Sequence, residues 1–458
     1  VSESKSVPRD PYAFHDDDIE EPPPSFAQTL RRIGPGMILA ASIVGSGELI
    51  ATTALGAKVG YVMLWLILVS CFIKPAIQSE MGRYAIATGE TGLAGFNRVP
   101  GPRAKVGWVV WGWSLMTLCS LFSVSGMFAG VAEALHTTVP VVPKDLWVGL
   151  LLALSLWLLL GGGYSRVEHL ATVKVGLFTL ITLLGAAILV SRPGALTPDQ
   201  VRTGLSFGLP PEGLVKAIAV FGITGVGASE LFMYPYWCIE KGYARFAGPR
   251  DDSPGWKNRA LGWIKVMNTD IAASMIIYTV ATVSFYLLGA GVLHPAGKNP
   301  EGAQMIGTLS EMYTQTLGKW SLPVFYAGAC VTLYGTIFAA TAANSRVFAD
   351  MACLMGAFPK DDYATRVRWR QRFVWGLLLI PAAVYFLRIN PVQMVTIGGT
   401  GQAIMLPIIA GSVLWLKRRH LPDGVGGGTG YRIGLWVASL TTMALMAWYV
   451  VKLLFPGK

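Results

Sequence analysis

Eleven apolar stretches, each near or above the roughly 20 residues an α-helix needs to cross a bilayer, run through this chain and leave room for little else. They cover residues 33–56, 60–86, 106–135, 146–162, 168–190, 213–239, 262–290, 318–350, 371–388, 393–416 and 432–455. The fourth is the shortest, and Pro381 is expected to interrupt the ninth. A bilayer core offers no water to an open backbone group, so such stretches must be helical. Only 14% of the residues are charged, against about a quarter in a soluble domain, and they gather between the stretches. The expected class is therefore an all-α membrane protein.

The charges also orient it. Connections after even-numbered spans are basic: Arg98, Arg103 and Lys105; then Lys241, Arg245, Arg250, Lys257 and Arg259; then Lys360, Arg366, Arg368 and Arg370; then Lys417, Arg418 and Arg419. Connections after odd-numbered spans are poor in Lys and Arg. The loop with Arg166 and His169 is only weakly basic. The positive-inside rule places the basic loops and the N-terminus in the cytoplasm and the C-terminus outside. The net charge of +11 is thus a topology signal, with membrane lipid as the partner and no nucleic acid. Residues 1–31, with Asp16, Asp17, Asp18, Glu20, Glu21 and the run Pro22-Pro23-Pro24, read as a disordered or loosely docked cytoplasmic tail and not a cleaved leader. The five cysteines lack paired spacing and read as packing residues.

The most informative feature is a near-repetition. Span one reads Val44-Gly45-Ser46-Gly47-Glu48-Leu49 and span six reads Val226-Gly227-Ala228-Ser229-Glu230-Leu231, identical at four of six positions and 182 residues apart. Five spans separate the copies, and an odd offset reverses direction in the membrane. This is the signature of inverted repeats, expected over 32–190 and 191–420 after the tail, with 421–458 as an eleventh helix and C-terminus. Both copies are rich in helix-weakening glycine, the first after Gly34-Pro35-Gly36 and the second before Pro235. Helix breaks at matching positions of two halves point to a binding site. An intramembrane glutamate in each copy is a functional group by default. Glu48 and Glu230 are expected to converge on one cavity as metal ligands, with Ser42, Ser46, Thr52, Thr53 and Ser229 adding hydroxyls, a set suited to hard ions. Such runs are also what a plain packing face looks like, with Lys74 or Arg83 of span two neutralising the glutamates.

Other positions carry weaker readings. The stripe Gly335, Thr336, Ala339, Ala340, Ala343 in span eight reads as a packing face, and Asn344 as a cap or interhelical hydrogen bond. Gly398-Gly399-Thr400-Gly401-Gln402 in span ten is either a break that offers Gln402 to the site or a kink. Glu80 and Arg83 form an i, i+3 ion pair. Glu133 and His136 share a helix face and are either a proton path or an interfacial pair. No phosphate loop follows Gly161-Gly162-Gly163, and no catalytic constellation stands out, so the chain is not expected to be an enzyme or to need a cofactor.

Gly34-Pro35-Gly36, Gly56-Ala57-Lys58-Val59-Gly60-Tyr61, Leu64-Trp65, Gln78-Ser79 and Thr88-Gly89-Glu90-Thr91 together resemble the Nramp family of proton-coupled divalent-metal transporters. The resemblance implies a LeuT-type fold, an inverted repeat of 5+5 transmembrane helices plus an eleventh. It implies a divalent cation as bound substrate. The hallmark Asp-Pro-Gly-Asn of the first helix is replaced here by Gly45-Ser46-Gly47-Glu48. The Met-Pro-His of the sixth aligns only with a gap, Met233 standing in for the soft ligand.

The chain is therefore expected to be an Nramp-related secondary transporter of a hard divalent ion such as magnesium or manganese, coupled to protons. Gly45, Ser46, Glu48, Thr52, Gly227, Ser229, Glu230, Met233 and Gln402 would line its site. The alternatives are a same-fold transporter of a small organic solute, lined by Phe232, Tyr234, Tyr236 and Trp237, or a transport-inactive membrane sensor; a monomer suffices for any of them. A cysteine placed between Arg245 and Arg259 should react with an impermeant maleimide only from the cytoplasmic side; labelling of intact cells from outside would overturn the topology.

Overall fold

The structure, a computed structural model, describes residues 10–14, 16–36, 45–160 and 164–455, and of Asp16, Ser46, Ala303, Leu453 and residues 164–175 the backbone alone. A helix lies under each of the eleven stretches. The first is Ser46–Thr52, wound as a π-helix, continued by Thr53–Val59. The second to fifth are Leu64–Thr88, Trp108–Thr138, Lys144–Leu160 and Tyr164–Ser191. The sixth is split into Leu214–Ile223 and Ala228–Lys241. The seventh to eleventh are Pro254–Leu288, Ser321–Leu354, Tyr363–Tyr385, Pro391–Arg419 and Thr429–Leu454.

Among the described residues, seven helical runs are long and apolar enough to cross a membrane unaided, and one of them, Gly47–Thr88, joins the first two spans. The fourth, fifth and ninth fall short for local reasons. The fourth has 17 residues, the fifth is counted only over Gly176–Ser191, and the ninth opens on Arg366, Arg368, Arg370 and Arg372. Such helices are held by neighbours more than by their own hydropathy.

Several expectations are corrected. Pro381 does not interrupt the ninth helix, which runs on to Tyr385; a proline removes one donor, a loss that packing neighbours can absorb within a bundle. The glycine run 398–401 does not break the tenth helix. It is a contact surface: a Cβ on Gly222 of span six would stand 2.2 Å from the Gly399 carbonyl oxygen. Backbone meets backbone there, which only glycine permits. The connection between spans seven and eight contains an amphipathic helix, Met305–Leu317, that was not foreseen. A two-residue antiparallel ladder, Arg103–Ala104 with Val106–Gly107, interrupts the all-α pattern.

The described part of the tail is docked. The Tyr12 hydroxyl donates to Glu240 Oε1 (3.0 Å), the Trp263 indole to the Glu20 carbonyl (2.9 Å), and the Glu20 amide to the Phe246 carbonyl (3.0 Å). Ser25 caps a short helix, Phe26–Arg32, by accepting from the Gln28 amide (3.3 Å). Residues 37–44, with Ser42 and Val44 of the repeat, lie outside the described residues.

Spans three and ten share the most extensive helix contact, and the first half of span six packs on span ten. Replacing Gly222 by Val is expected to lower stability by about 1–3 kcal/mol through overpacking, read as a fall in melting temperature in detergent. Gly376→Ala, with open space around it, should leave that temperature unchanged or raise it.

Candidate functional site

The centre is organised by the break in span six. Its first half ends at Ile223, the chain turns through Thr224–Gly227 with Gly225 at φ +61°, and the second half starts at Ala228. All of this is buried. A buried break frees carbonyls on one side and amides on the other, and each must find a partner.

On the carbonyl side span two supplies them. Lys74 Nζ donates to the carbonyls of Phe221 (2.7 Å) and Thr224 (2.5 Å), and Ser70, one turn earlier, donates to the Thr224 carbonyl (3.2 Å). On the amide side span ten reaches in. Gln402 Oε1 accepts from the Ser229 amide (3.1 Å). Glu230, in the first turn of the second half, places its carboxylate at the positive end of that helix. A Cβ on Gly227 would stand 2.4 Å from Glu230 Oε2 and 2.8 Å from Gln402 Oε1, so the glycine makes room for both oxygens.

Beside this break lies a cavity of about 70 Å³ built from spans one, three, six, eight and ten. Water occupies about 30 Å³ of liquid, so the space suits a small ion with one or two waters. Polar lining comes from Thr117, Ser120, Ser123, Ser229, Glu230, Thr336, Asn344 and Gln402, and Met127 adds a thioether. Glu230 Oε2 and Asn344 Oδ1 are buried and have no hydrogen-bond partner among the described residues. Asn344 Nδ2 donates to the Ala340 carbonyl (3.0 Å), which leaves Oδ1 as the unused end of the amide.

The expected site residues divide. Gly227, Ser229, Glu230 and Gln402 meet at the cavity. Gly45 lies at its edge, where a Cβ would stand 2.2 Å from Thr336 Oγ1. Span eight thus fills the space that a side chain from position 45 would need. Glu48 is fully buried but not in the cavity wall: its Oε1 accepts from Thr282 Oγ1 of span seven (3.2 Å) and its Oε2 has no partner among the described residues. It is close enough to Glu230 for the two charges to interact, and Lys74 acts electrostatically on Glu230. Thr52 and Met233 are buried outside the lining, and the Ser46 side chain is not among those described. Glu133 and His136 do not pair with each other. Glu133 Oε1 accepts from the amides of Ile306 (2.9 Å) and Gly307 (3.1 Å) at the start of the helix Met305–Leu317, and His136 Nδ1 bonds the Val142 carbonyl (2.8 Å). Glu80 does pair with Arg83 (3.5 Å), and Lys417 of span ten joins them (2.8 Å).

Sequence reasoning took Thr336 for a packing residue and Asn344 for a cap or an interhelical hydrogen bond, not for site residues. Their only signal was a polar position on a small-residue stripe, which a packing face shares.

A sequence model of natural resistance-associated macrophage protein-like chains matches residues 36–452. The divalent metal cation transporter MntH of Deinococcus radiodurans is 23% identical over 426 residues, covering 92% of this chain and 90% of that protein. The MntH of Xanthomonas campestris is 25% identical over 365 residues, covering 77% of this chain and 74% of that one. The manganese transporter of Eremococcus coleocola, crystallised with an aromatic bis-isothiourea compound, superposes with a TM-score of 0.65 at 15% identity, covering 96% of this chain and 91% of its own. Mhp1, a nucleobase-cation-symport-1 family transporter, gives 0.55 at 15% identity over 93% and 94%. At such identities the structural likeness establishes the fold, which is LeuT-type.

The Glu133 contacts carry a prediction of their own. Glu133→Ala removes a carboxylate cap of about 0.5–2 kcal/mol and should speed hydrogen exchange at Ile306 and Gly307. Glu133→Gln should retain most of the protection, since its amide oxygen still accepts.

Proposed function

The chain belongs to the family of natural resistance-associated macrophage proteins, and from that premise we propose that it is a secondary transporter of a hard divalent cation, magnesium or manganese, coupled to protons. One observation carries the reading: Glu230 Oε2, buried and without a hydrogen-bond partner among the described residues, faces a small cavity whose other polar groups are uncharged hydroxyls and amides. A buried carboxylate oxygen without a partner is unfavourable unless a cation or proton meets it. Asn344 Oδ1, Gln402 Oε1 and the hydroxyls of Ser229 and Thr336 complete an oxygen-rich set of the kind magnesium and manganese take.

Glu230 is the direct ligand in this reading. Glu48, held by Thr282 outside the wall, contributes its charge at longer range. Protons and cation compete for the same carboxylates, which is the simplest chemical basis for coupling.

The organic-solute reading loses its support at span six. Phe232 packs at a tilt against Phe96 and Trp113, the Tyr234 hydroxyl donates to Asp270, and the Tyr236 hydroxyl donates to Asp350. None of these rings lines the cavity.

Calorimetry with Mn²⁺ and Mg²⁺ on purified protein, paired with uptake into proteoliposomes, tests the reading. Glu230→Gln should weaken Mn²⁺ binding at least about tenfold by removing a charged ligand, with the fold intact. Glu48→Gln should have a smaller effect, and binding in the wild type should weaken as pH falls. Uptake unaffected in the Glu48→Gln/Glu230→Gln double variant would sink the proposal, and absence of ion uptake by the wild type would favour a sensor.

A further inference from the structure

Lys74 is an unusual residue to find in the middle of a membrane span, and the metal-site reading does not use it. It is 0% exposed. An ammonium removed from water is unfavourable by several kcal/mol unless its surroundings replace the lost hydration. Here they do. The first half of span six ends nearby, its last carbonyls are without intrahelical partners, and its dipole concentrates negative partial charge there. Lys74 Nζ donates to two of those carbonyls, Phe221 and Thr224, and lies 5.2 Å from the centre of the Phe221 ring. Both glutamates of the repeat act electrostatically on it.

Two carbonyls at a helix end, an aromatic face and two carboxylates at longer range are the surroundings of a bound monovalent cation. We propose that the end of the first half of span six is such a site, and that Lys74 is its permanently tethered occupant. A neutral donor is already at hand: Ser70 Oγ lies within reach of the Thr224 (3.2 Å) and Phe221 (3.4 Å) carbonyls, its single proton serving one at a time, and Thr224 Oγ1 donates to the Val220 carbonyl (2.8 Å). What Lys74 adds is charge. It cancels one of the two carboxylate charges at the centre and ties span two to the break, so no second ion has to be recruited from solution. Lys74 is a positioning residue in this scheme, because it touches the backbone of span six and not the cavity.

A tethered cation can be replaced by a free one, and that gives the test. Lys74→Ala opens space where the butylammonium stem was, while Lys74→Met fills it without charge. Both variants should lose Mn²⁺ uptake in proteoliposomes by about tenfold or more, as expected when a hydrogen bond from a charged donor is removed. Added ethylammonium should restore the melting temperature of Lys74→Ala in detergent, and its uptake with it, in a saturable way. The same amine should not help Lys74→Met, whose side chain blocks the space, and should leave the wild type unchanged. If Lys74→Ala does not fold alone, expression with ethylammonium should recover folded protein. Lys74→Met with uptake within twofold of wild type would overturn the proposal, as would failure of ethylammonium to restore either folding or melting temperature in Lys74→Ala. The melting readout involves no transported ion, so it separates this inference from the choice of manganese as cargo.

Discussion

A helix broken inside a bilayer must have its freed backbone groups met by protein, since lipid offers nothing and each unmet group costs several kcal/mol. The centre of this molecule is organised by how that requirement is met at Thr224–Gly227. Span two answers the carbonyl side with Ser70 and Lys74, and span ten answers the amide side with Gln402. Spans two, six and ten are thereby fixed to one another at a single level of the membrane. The cavity is what remains between that break and the facing spans one, three, eight and ten. Its polarity is a consequence of the break, because the side chains that satisfy a helix end are polar.

The half of the molecule next to the basic loops is held differently. Asp270 of span seven accepts from the amides of Gly34 (3.0 Å) and Gly36 (2.5 Å) ahead of span one, and from the Tyr234 hydroxyl (3.3 Å). Asp350 of span eight accepts from the hydroxyls of Thr91 and Tyr236 and from Arg366. Glu240 pairs with Arg346 (2.8 Å) and receives Tyr12 from the tail. These carboxylates turn the aromatic residues of span six away from the cavity. They also fasten four spans by polar contacts, which exchange for water far more readily than interdigitated apolar packing separates. A transporter that alternates access needs a closure of this kind on at least one side.

Hydropathy made the spans legible, because the period and length of an apolar run depend on the chain alone. The break in span six was legible for the same reason: Gly225-Val226-Gly227-Ala228-Ser229 is poor helix in any surroundings. Glu230 was legible beside that break, whereas Gln402 was reached through a glycine break in span ten that the helix does not have. What escaped was the direction in which a given face of a span points. Asn344 and Thr336 sit on a stripe of small residues that could equally have packed against a helix. Glu48 looked equivalent to Glu230, yet Thr282 draws it to span seven. Pro381 and the glycines of span ten looked like breaks, and tertiary contacts carry the helix through both. In each case the deciding partner lies on a span distant in sequence.

The relation between Gly45 and Glu48 shows where span one places its charge. A side chain at position 45 is excluded by Thr336, so span one brings no charge to the cavity wall there. Its carboxylate stands three residues further on, in the π-wound turn, bonded to span seven. Lys74 acts electrostatically on both carboxylates, Glu230 at the wall as well as Glu48 behind it. One carboxylate, from span six, remains to meet a cation at the wall, among neutral oxygens from spans six, eight and ten. A site with a single direct charge holds its ion less tightly than one with two and tolerates retained water, which suits a cation reluctant to shed its hydration shell. On the proposed reading, the charge arrangement suits a hard divalent ion that keeps part of its water, and it does so through residues on three spans rather than through any one ligand.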